Sequence, residues 1–262
     1  MVLVEDVSSN SANRSQNSTT TSPRNSTRAS PSLIQILLDR KIDSILLLSR
    51  LATIIFTIFY FLHSLRPTNE PNVYYSKALL SSIVTSALRL RQRIPQFELS
   101  REFFFNLIRE DSAHYLIYSF LFLSGSPMTI VLLPICTYAM LHSCSFLSQI
   151  LTDYPRIKLT LDRITASHGN VLRFIALNEI ILMPILILSI FIARSNLLLI
   201  FMYYRFLTLR YMSHRNPYTK ILFTELRVQA EQLCNHPSCP RFITRLCHGS
   251  ISFINRLAPM QN

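Results

Sequence analysis

The sequence predicts an all-α fold: a polytopic helical membrane protein with paired membrane helices (hairpins) and C-terminal amphipathic interfacial helices. Three observations predict it. Of 262 residues, 49% are hydrophobic and only 15% charged, where an ordinary soluble domain carries about a quarter charged residues. The apolar residues are bunched into long runs and not spread at amphipathic spacing. The formal charge of +12, from 26 Lys and Arg against 14 Asp and Glu, falls mostly between those runs, as cytosolic loops and anionic headgroups favour. With a mean hydropathy of +0.28 and three glycines, a soluble enzyme built on a phosphate-cradling loop is excluded, and the charge speaks for lipid and not for nucleic acid.

Residues 1–31 are Ser, Asn, Thr and Arg with almost nothing apolar after Val7. Such a stretch cannot bury enough surface to offset its ordering entropy, so a disordered tail is expected. It is not a signal peptide, because polar sequence precedes the first apolar run. Asn13, Asn17 and Asn25 each head an N-x-S/T sequon, glycosylated only if the tail is luminal.

The membrane domain is expected over 32–212. Leu33, Ile34, Ile36, Leu37 and Leu38 read as a short interfacial helix. Candidate membrane helices follow at 44–65, 73–90, 113–124, 128–151, 171–193 and 197–212, about 20 residues being needed to cross. The first carries Arg50 and ends before Pro67 and Pro71; the second is mixed, with Lys77, Ser81, Ser82, Thr85 and Ser86 among its leucines. Arg89, Arg91 and Arg93 form a cytosolic basic collar at its end. Ser100 suits the N-cap of one long helix running from Arg101 past Glu110 and Asp111 into Tyr115–Leu123. Ser124-Gly125-Ser126-Pro127 is the clearest turn signal and makes 113–151 a helical hairpin. A polar loop with Arg156, Lys158, Asp162 and Arg163 leads to the 171–193 helix, kinked at Pro184. The last run, 197–212, carries Arg205 and Arg210, expected to snorkel toward the headgroups.

With three hairpins, 21 Lys and Arg fall on one face, and the opposite links hold only Arg66 and Arg194. That asymmetry orients both termini to the cytosol. If 73–90 and 115–123 fail to cross, an odd number of spans with a luminal tail remains open.

Chemistry-bearing residues are few. Asn178 and Glu179 sit about 12 Å along the 171–193 helix at 1.5 Å per residue, as intramembrane polar groups. Glu179 at mid-depth reads either as helix-joining glue or as part of an ion path, with Arg50, His114, His142 or Arg205 as candidate partners. Asp111-Ser112-Ala113-His114 is the nearest approach to a catalytic cluster and reads better as a wet helix start. No nucleophile elbow, H-E-x-x-H helix or phosphate loop is present, so no catalytic residue, cofactor or metal is assigned. Cys234, His236, Cys239, Cys247 and His248 lack a C-x-x-C knuckle, and five cysteines define no disulfide framework.

Residues 213–262 form a basic cytosolic tail with amphipathic helices at 217–234 and 240–258. In the second, Phe242, Leu246 and Phe253 recur on one face, and Arg241, Arg245 and Arg256 line the other. These six residues are the candidate membrane-surface binding set, facing a bilayer with anionic headgroups. The alternative is that both helices pack on the membrane bundle.

Six blocks, SALRLRQRIPQFELSREF (86–103), EDSAHYLIYS (110–119), LRFIALNEIILMP (172–184), YYRFLTLRYMSHRNPY (203–218), CPRFITRLC (239–247) and SFINRLAP (252–259), resemble the transmembrane protein 33, or Krüppel homologue 2, family of the endoplasmic reticulum and nuclear envelope. The resemblance implies a non-enzymatic, multi-pass protein of those membranes. It implies reticulon-type partners and a role in tubular network organisation. Links to unfolded-protein-response signalling through stress-sensor kinases, to calcium regulation and, in fungal relatives, to nuclear pore distribution and membrane binding by C-terminal amphipathic helices are also implied. An ion channel or ion-coupled transporter organised around Glu179 is the alternative from the residues alone.

With both termini cytosolic, full-length protein made in cells shows no endoglycosidase H shift at Asn13, Asn17 and Asn25, while a sequon engineered into a lengthened 66–72 loop is glycosylated. A shift at the native sequons places the tail in the lumen.

Overall fold

The computed structural model describes residues 40–65, 71–94, 101–192, 196–213 and 216–235, and single positions at 242, 244, 245, 249 and 252. The tail 1–31, the 33–38 cluster, Arg66, Pro67, Pro95, Ser100 and Arg194 lie outside them. The described residues contain no strand. Their helices are α1 (Lys41–Ser64), α2 (Pro71–Arg93), α3 (Arg101–Arg109), α4 (Asp111–Leu123), α5 (Thr129–Ile150), α6 (Pro155–Ala166), α7 (His168–Ile190), α8 (Leu197–Met212) and α9 (Tyr218–Cys234).

Among the described residues, α1, α5 and α7 are long and apolar enough to cross a membrane. The others fall short for different reasons. The 23 residues of α2 have the length, but hydroxyls and Lys77 dilute it. At 1.5 Å per residue the 13 residues of α4 and 16 of α8 reach about 20 and 24 Å, against a hydrocarbon core of about 30 Å. Ile45, Leu48, Ile55 and Ile58 on α1, Ile181 and Leu188 on α7, and Leu198 and Phe201 on α8 are exposed. An outward belt of large apolar side chains suits lipid and not water.

α1 and α2 form an antiparallel hairpin. The Ser49 and Thr85 hydroxyls lie 2.8 Å apart, the Thr53 and Ser81 hydroxyls 2.8 Å apart, and the Tyr60 and Tyr75 rings 5.7 Å apart further along. Small side chains let the backbones approach, and hydroxyl bonds reward the approach in a medium where apolar burial is worth little. Ser82 meets Ser119 at 3.0 Å, which draws α4 onto α2 in the same way.

The second expected hairpin takes a different form. α4 packs with α2 and α8, whereas α5 packs with α1, α6 and α7, so the Ser124–Pro127 turn joins helices of different pairs. Tyrosines stand between α4 and α5: the Tyr118 hydroxyl donates to the Val131 carbonyl at 3.0 Å, and the Tyr115 and Tyr138 rings meet edge to face at 4.7 Å. Side chains of that size hold the two helices apart. The third pair, α7 with α8, does pack together.

Two sequence expectations are corrected. The single helix expected from Arg101 into Leu123 is two, broken at Glu110, whose backbone is extended at φ −88° and ψ 122°. Glu110 is held there by Arg93, 2.7 Å away, and the ring of His114 closes on the Ile108 carbonyl at 2.6 Å. The 155–166 loop is the helix α6, opened by Pro155 at its first turn. None of its residues is buried, and Ile157 and Leu159 are exposed beside Arg156, Lys158 and Arg163. That composition fits a helix lying in the headgroup layer.

At the C-terminal end α9 packs on α7 and α8. Arg173 pairs with Glu225, the Tyr211 and Phe223 rings meet at 5.8 Å, and the Tyr218 hydroxyl lies 3.2 Å from where a Cβ on Gly169 would stand. Cys234 is buried and disulfide-bonded, so it has no thiolate to give a metal. The rest of the 240–258 helix lies outside the described residues except at Phe242, Thr244, Arg245, Gly249 and Ser252, which are helical.

Replacing Thr53 and Thr85 with the isosteric Val removes one hydroxyl from each α1–α2 rung. At about 0.6 kcal/mol per interhelical bond, the pair lowers stability by about 1 kcal/mol in detergent-titrated unfolding, and an unchanged midpoint would show that the rungs carry no energy.

Candidate functional site

Glu179 on α7 is 0% exposed, and so is Arg210 on α8. Arg210 Nε donates to Glu179 Oε2 at 3.0 Å, Nη1 to Asp111 Oδ1 at 3.1 Å, and Nη2 to the Tyr138 hydroxyl at 3.3 Å. The guanidinium also lies 5.2 Å from the centre of the Tyr115 ring, a cation–π contact. The other Glu179 oxygen, Oε1, accepts from the Tyr115 hydroxyl. The Tyr203 hydroxyl donates to the Glu179 carbonyl at 2.7 Å. Ser213 Oγ completes Asp111 at 3.0 Å, and Asn216 Nδ2 reaches Tyr138 at 2.9 Å. One cation thus ties α4, α5, α7 and α8 together.

Each group reaches the cluster by helical spacing. On α8, Tyr203, Phe206, Leu207 and Arg210 are its buried residues, the i, i+3, i+4, i+7 stripe of one helix face. Arg210 therefore points into the bundle, whereas Arg205 is exposed. This corrects the expectation that both arginines snorkel outward. Above the ion cluster the stripe is aromatic: Phe206 packs on Tyr118 at 5.1 Å and Tyr203 on Phe122 at 5.7 Å.

None of the four cations expected opposite Glu179 is its partner. His114 is committed to the Ile108 carbonyl and lies 3.9 Å from Asp111. His142 stacks on Tyr138 at 5.9 Å, Arg50 lies by a cavity, and Arg205 is exposed. Both Glu179 oxygens being engaged and unexposed, the carboxylate has no face open to a passing ion; the arrangement joins helices. Asn178 is buried and donates to the Phe174 carbonyl at 2.9 Å, one turn back on its own helix. Asp111 opens α4 as expected of its cluster, but its function there is to meet Arg210. The signal that would have found Arg210 is its register with Tyr203, Phe206 and Leu207.

Of the basic collar, Arg89 and Arg93 line one cavity with Arg50, while Arg91 is exposed away from it. Alternate helical residues point about 200° apart, so three arginines at i, i+2, i+4 cannot form one ring. In the membrane-surface set, Phe242 is 75% exposed and Arg245 is exposed; Arg241, Leu246, Phe253 and Arg256 lie outside the described residues. No group of three or more His, Cys, Asp or Glu among the described residues is placed to hold a metal.

The family described as Transmembrane protein 33/Nucleoporin POM33 matches residues 25–260. The chain belongs to this family. Transmembrane protein 33 of Homo sapiens is 42% identical over 231 residues, 86% of this chain and 93% of its own length. The Transmembrane protein 33 homolog of Caenorhabditis elegans is 39% identical, covering 87% of this chain and 86% of its own. Krueppel homolog 2 of Drosophila melanogaster is 37% identical, covering 87% and 82%. No solved structure matches. This is a family of membrane proteins, in agreement with the helical bundle and the three helices of spanning length among the described residues. Glu179 and Arg210, and every helix described, fall within the matched region.

Removing one partner of a buried ion pair leaves the other uncompensated and costs about 3–5 kcal/mol. Arg210→Met and Glu179→Met each lower the thermal stability of the purified protein strongly, and the double variant loses less than the sum of the two, Asp111 being left without its cation. Additive losses would show that the pair does not couple α7 to α8.

Proposed function

We propose that this protein is a non-enzymatic component of the endoplasmic reticulum membrane and nuclear envelope that modulates membrane shape and tubular network organisation. It does so by docking other hairpin proteins of the reticulon type. The observation that carries this reading is the inequality of helix length. Helices that reach across a bilayer alternate with α4 and α8, which stop short, and with α6, whose apolar residues are exposed beside basic ones. A bundle of that form displaces more area in one leaflet than in the other and so couples its free energy to curvature.

Charge supports the same reading. From Arg205 onward, apart from the buried Arg210, seven Lys or Arg oppose two Glu, and each basic residue near an anionic leaflet is worth about 1 kcal/mol. The exposed Phe242 beside Arg245 fits the same surface. The family description names a nucleoporin alongside transmembrane protein 33, which supports the nuclear-envelope part of the proposal. Regulation of the unfolded-protein response through stress-sensor kinases, and of calcium, would act through this scaffold, with no catalytic step assigned to the chain.

The test replaces Arg241, Arg245 and Arg256 with Glu in the full-length protein. Enrichment on high-curvature tubules over flat sheets falls, while membrane insertion and capture of reticulon-type proteins in detergent persist. Unchanged enrichment would remove the basic helix from the mechanism, and failure to capture hairpin proteins would remove the partner.

A further inference from the structure

Beside the ion cluster, between α1, α2 and α5, lies a cavity of about 250 Å³, on a scale where one water takes about 10–15 Å³. Its basic residues are not those that meet Glu179, although Asp111, Tyr115 and Tyr138 of the ion cluster form one of its walls. Arg50 comes from α1, Arg89 and Arg93 from α2, His142 from α5 and His168 from the start of α7; Ser86 adds a hydroxyl from α2. Arg93 and His168 are exposed, so the cavity opens at their end of the bundle.

The charges inside it do not cancel. Arg50 is only 8% exposed, and its Nε is buried without a hydrogen-bond partner. Among the described residues neither Arg50 nor Arg89 forms an ion pair. The acids nearby have other partners: Glu110 pairs with Arg93 at 2.7 Å, Asp111, which also lines the cavity, accepts from Arg210 and Ser213 through Oδ1, and Asp43, whose charge acts on Arg50, accepts from Gln92 at 3.1 Å. Two guanidinium groups therefore face one confined space without an ion-pair partner of their own. A fold tolerates such an arrangement when an anion completes it, since uncompensated buried charge is among the most costly features a protein can contain.

We propose that this cavity is a binding site for a phosphate-bearing anion. The donors decide the chemical class. Two planar guanidinium forks, the His142 ring and the Ser86 hydroxyl offer more hydrogen bonds than the two oxygens of one carboxylate accept. A phosphate presents three or four oxygens and pairs with Arg in bidentate geometry. The phosphate belongs either to a phospholipid headgroup entering from the surrounding leaflet or to a soluble ion entering from the water.

The experiment uses the full-length protein purified in phosphate-free detergent and follows thermal unfolding with three probes: dioctanoyl phosphatidic acid, inorganic phosphate and, as the phosphate-free reference, dioctanoylglycerol. A ligand that binds only the folded state raises the melting temperature by mass action. A rise with phosphatidic acid alone identifies a lipid headgroup; a rise with inorganic phosphate as well identifies a free anion; dioctanoylglycerol gives none. Arg50→Gln raises the apparent Kd at least about tenfold, and its ligand-free melting temperature is equal to or above that of the unaltered protein, because an uncompensated charge has been removed. Arg89→Gln, at a less buried position, gives the same loss of affinity should Arg50→Gln fail to fold. Arg91→Gln, which leaves the cavity untouched, keeps the full response. The proposal is overturned if neither phosphate probe raises the melting temperature, or if the rise is the same in Arg50→Gln, Arg89→Gln and Arg91→Gln.

Discussion

A guanidinium with no exposed surface, held between carboxylates on two other helices, is the constraint on which this bundle depends. In lipid, turning a helix about its axis exchanges one apolar face for another at little cost, because the acyl chains are as apolar as leucine. Hydrophobicity alone therefore leaves the rotation of α7 and α8 undetermined. The Arg210 side chain removes that freedom: burying it requires Glu179 and Asp111 to be within reach at once. Once α4, α7 and α8 are turned to satisfy it, Tyr115 and Tyr203 meet Glu179, and Tyr138 meets Arg210 and Asn216. The aromatic core of Tyr118, Phe122 and Phe206 then packs in the register this leaves.

The N-terminal pair is held by a weaker and more distributed device. Hydroxyl rungs between α1 and α2, and between α2 and α4, rely on close backbone approach, each worth a fraction of the ion cluster. The two systems meet at the cavity, where Tyr115, Tyr138 and Asp111 form one wall and the hydroxyl-bearing helices another. Its cations therefore stand at the boundary between the strongly tied half of the bundle and the half tied by small residues. An anion seated there would brace the two halves together.

Helix length and surface composition connect this architecture to the membrane. Among the described residues, α1, α5 and α7 are long and apolar enough to reach across a bilayer, while α4 and α8 are shorter than its hydrocarbon core. The short helices are admissible because they satisfy their own backbone bonds and bury their polar side chains against neighbours. α6 has apolar and basic residues exposed together, as a helix lying along a headgroup layer does. Family membership agrees with a membrane bundle, and the shaping role proposed for it uses the same inequality of lengths that the ion cluster makes stable.

Much of this was legible in the sequence because it depends on one element at a time. Apolar runs of spanning length mark α1, α5 and α7, the interleaved hydroxyls mark α2 as mixed, and a carboxylate at mid-depth marks Glu179 as a residue that must be paired. What could not be read is who meets whom. Arg210 looked like Arg205, two basic residues near a helix end, and only the packing of α8 turned one inward and left the other exposed. Glu110 broke a helix that its neighbours would have continued, because Arg93, seventeen positions earlier, held its side chain. Arg89, Arg91 and Arg93 read as one collar until the helix separated them by face. Propensity, length and hydropathy are properties of a segment, so the sequence by itself determined most of the helices and their medium, α6 and the break at Glu110 excepted. Pairing, rotation and the company of each buried charge depend on residues distant along the chain, and those only the tertiary structure decided.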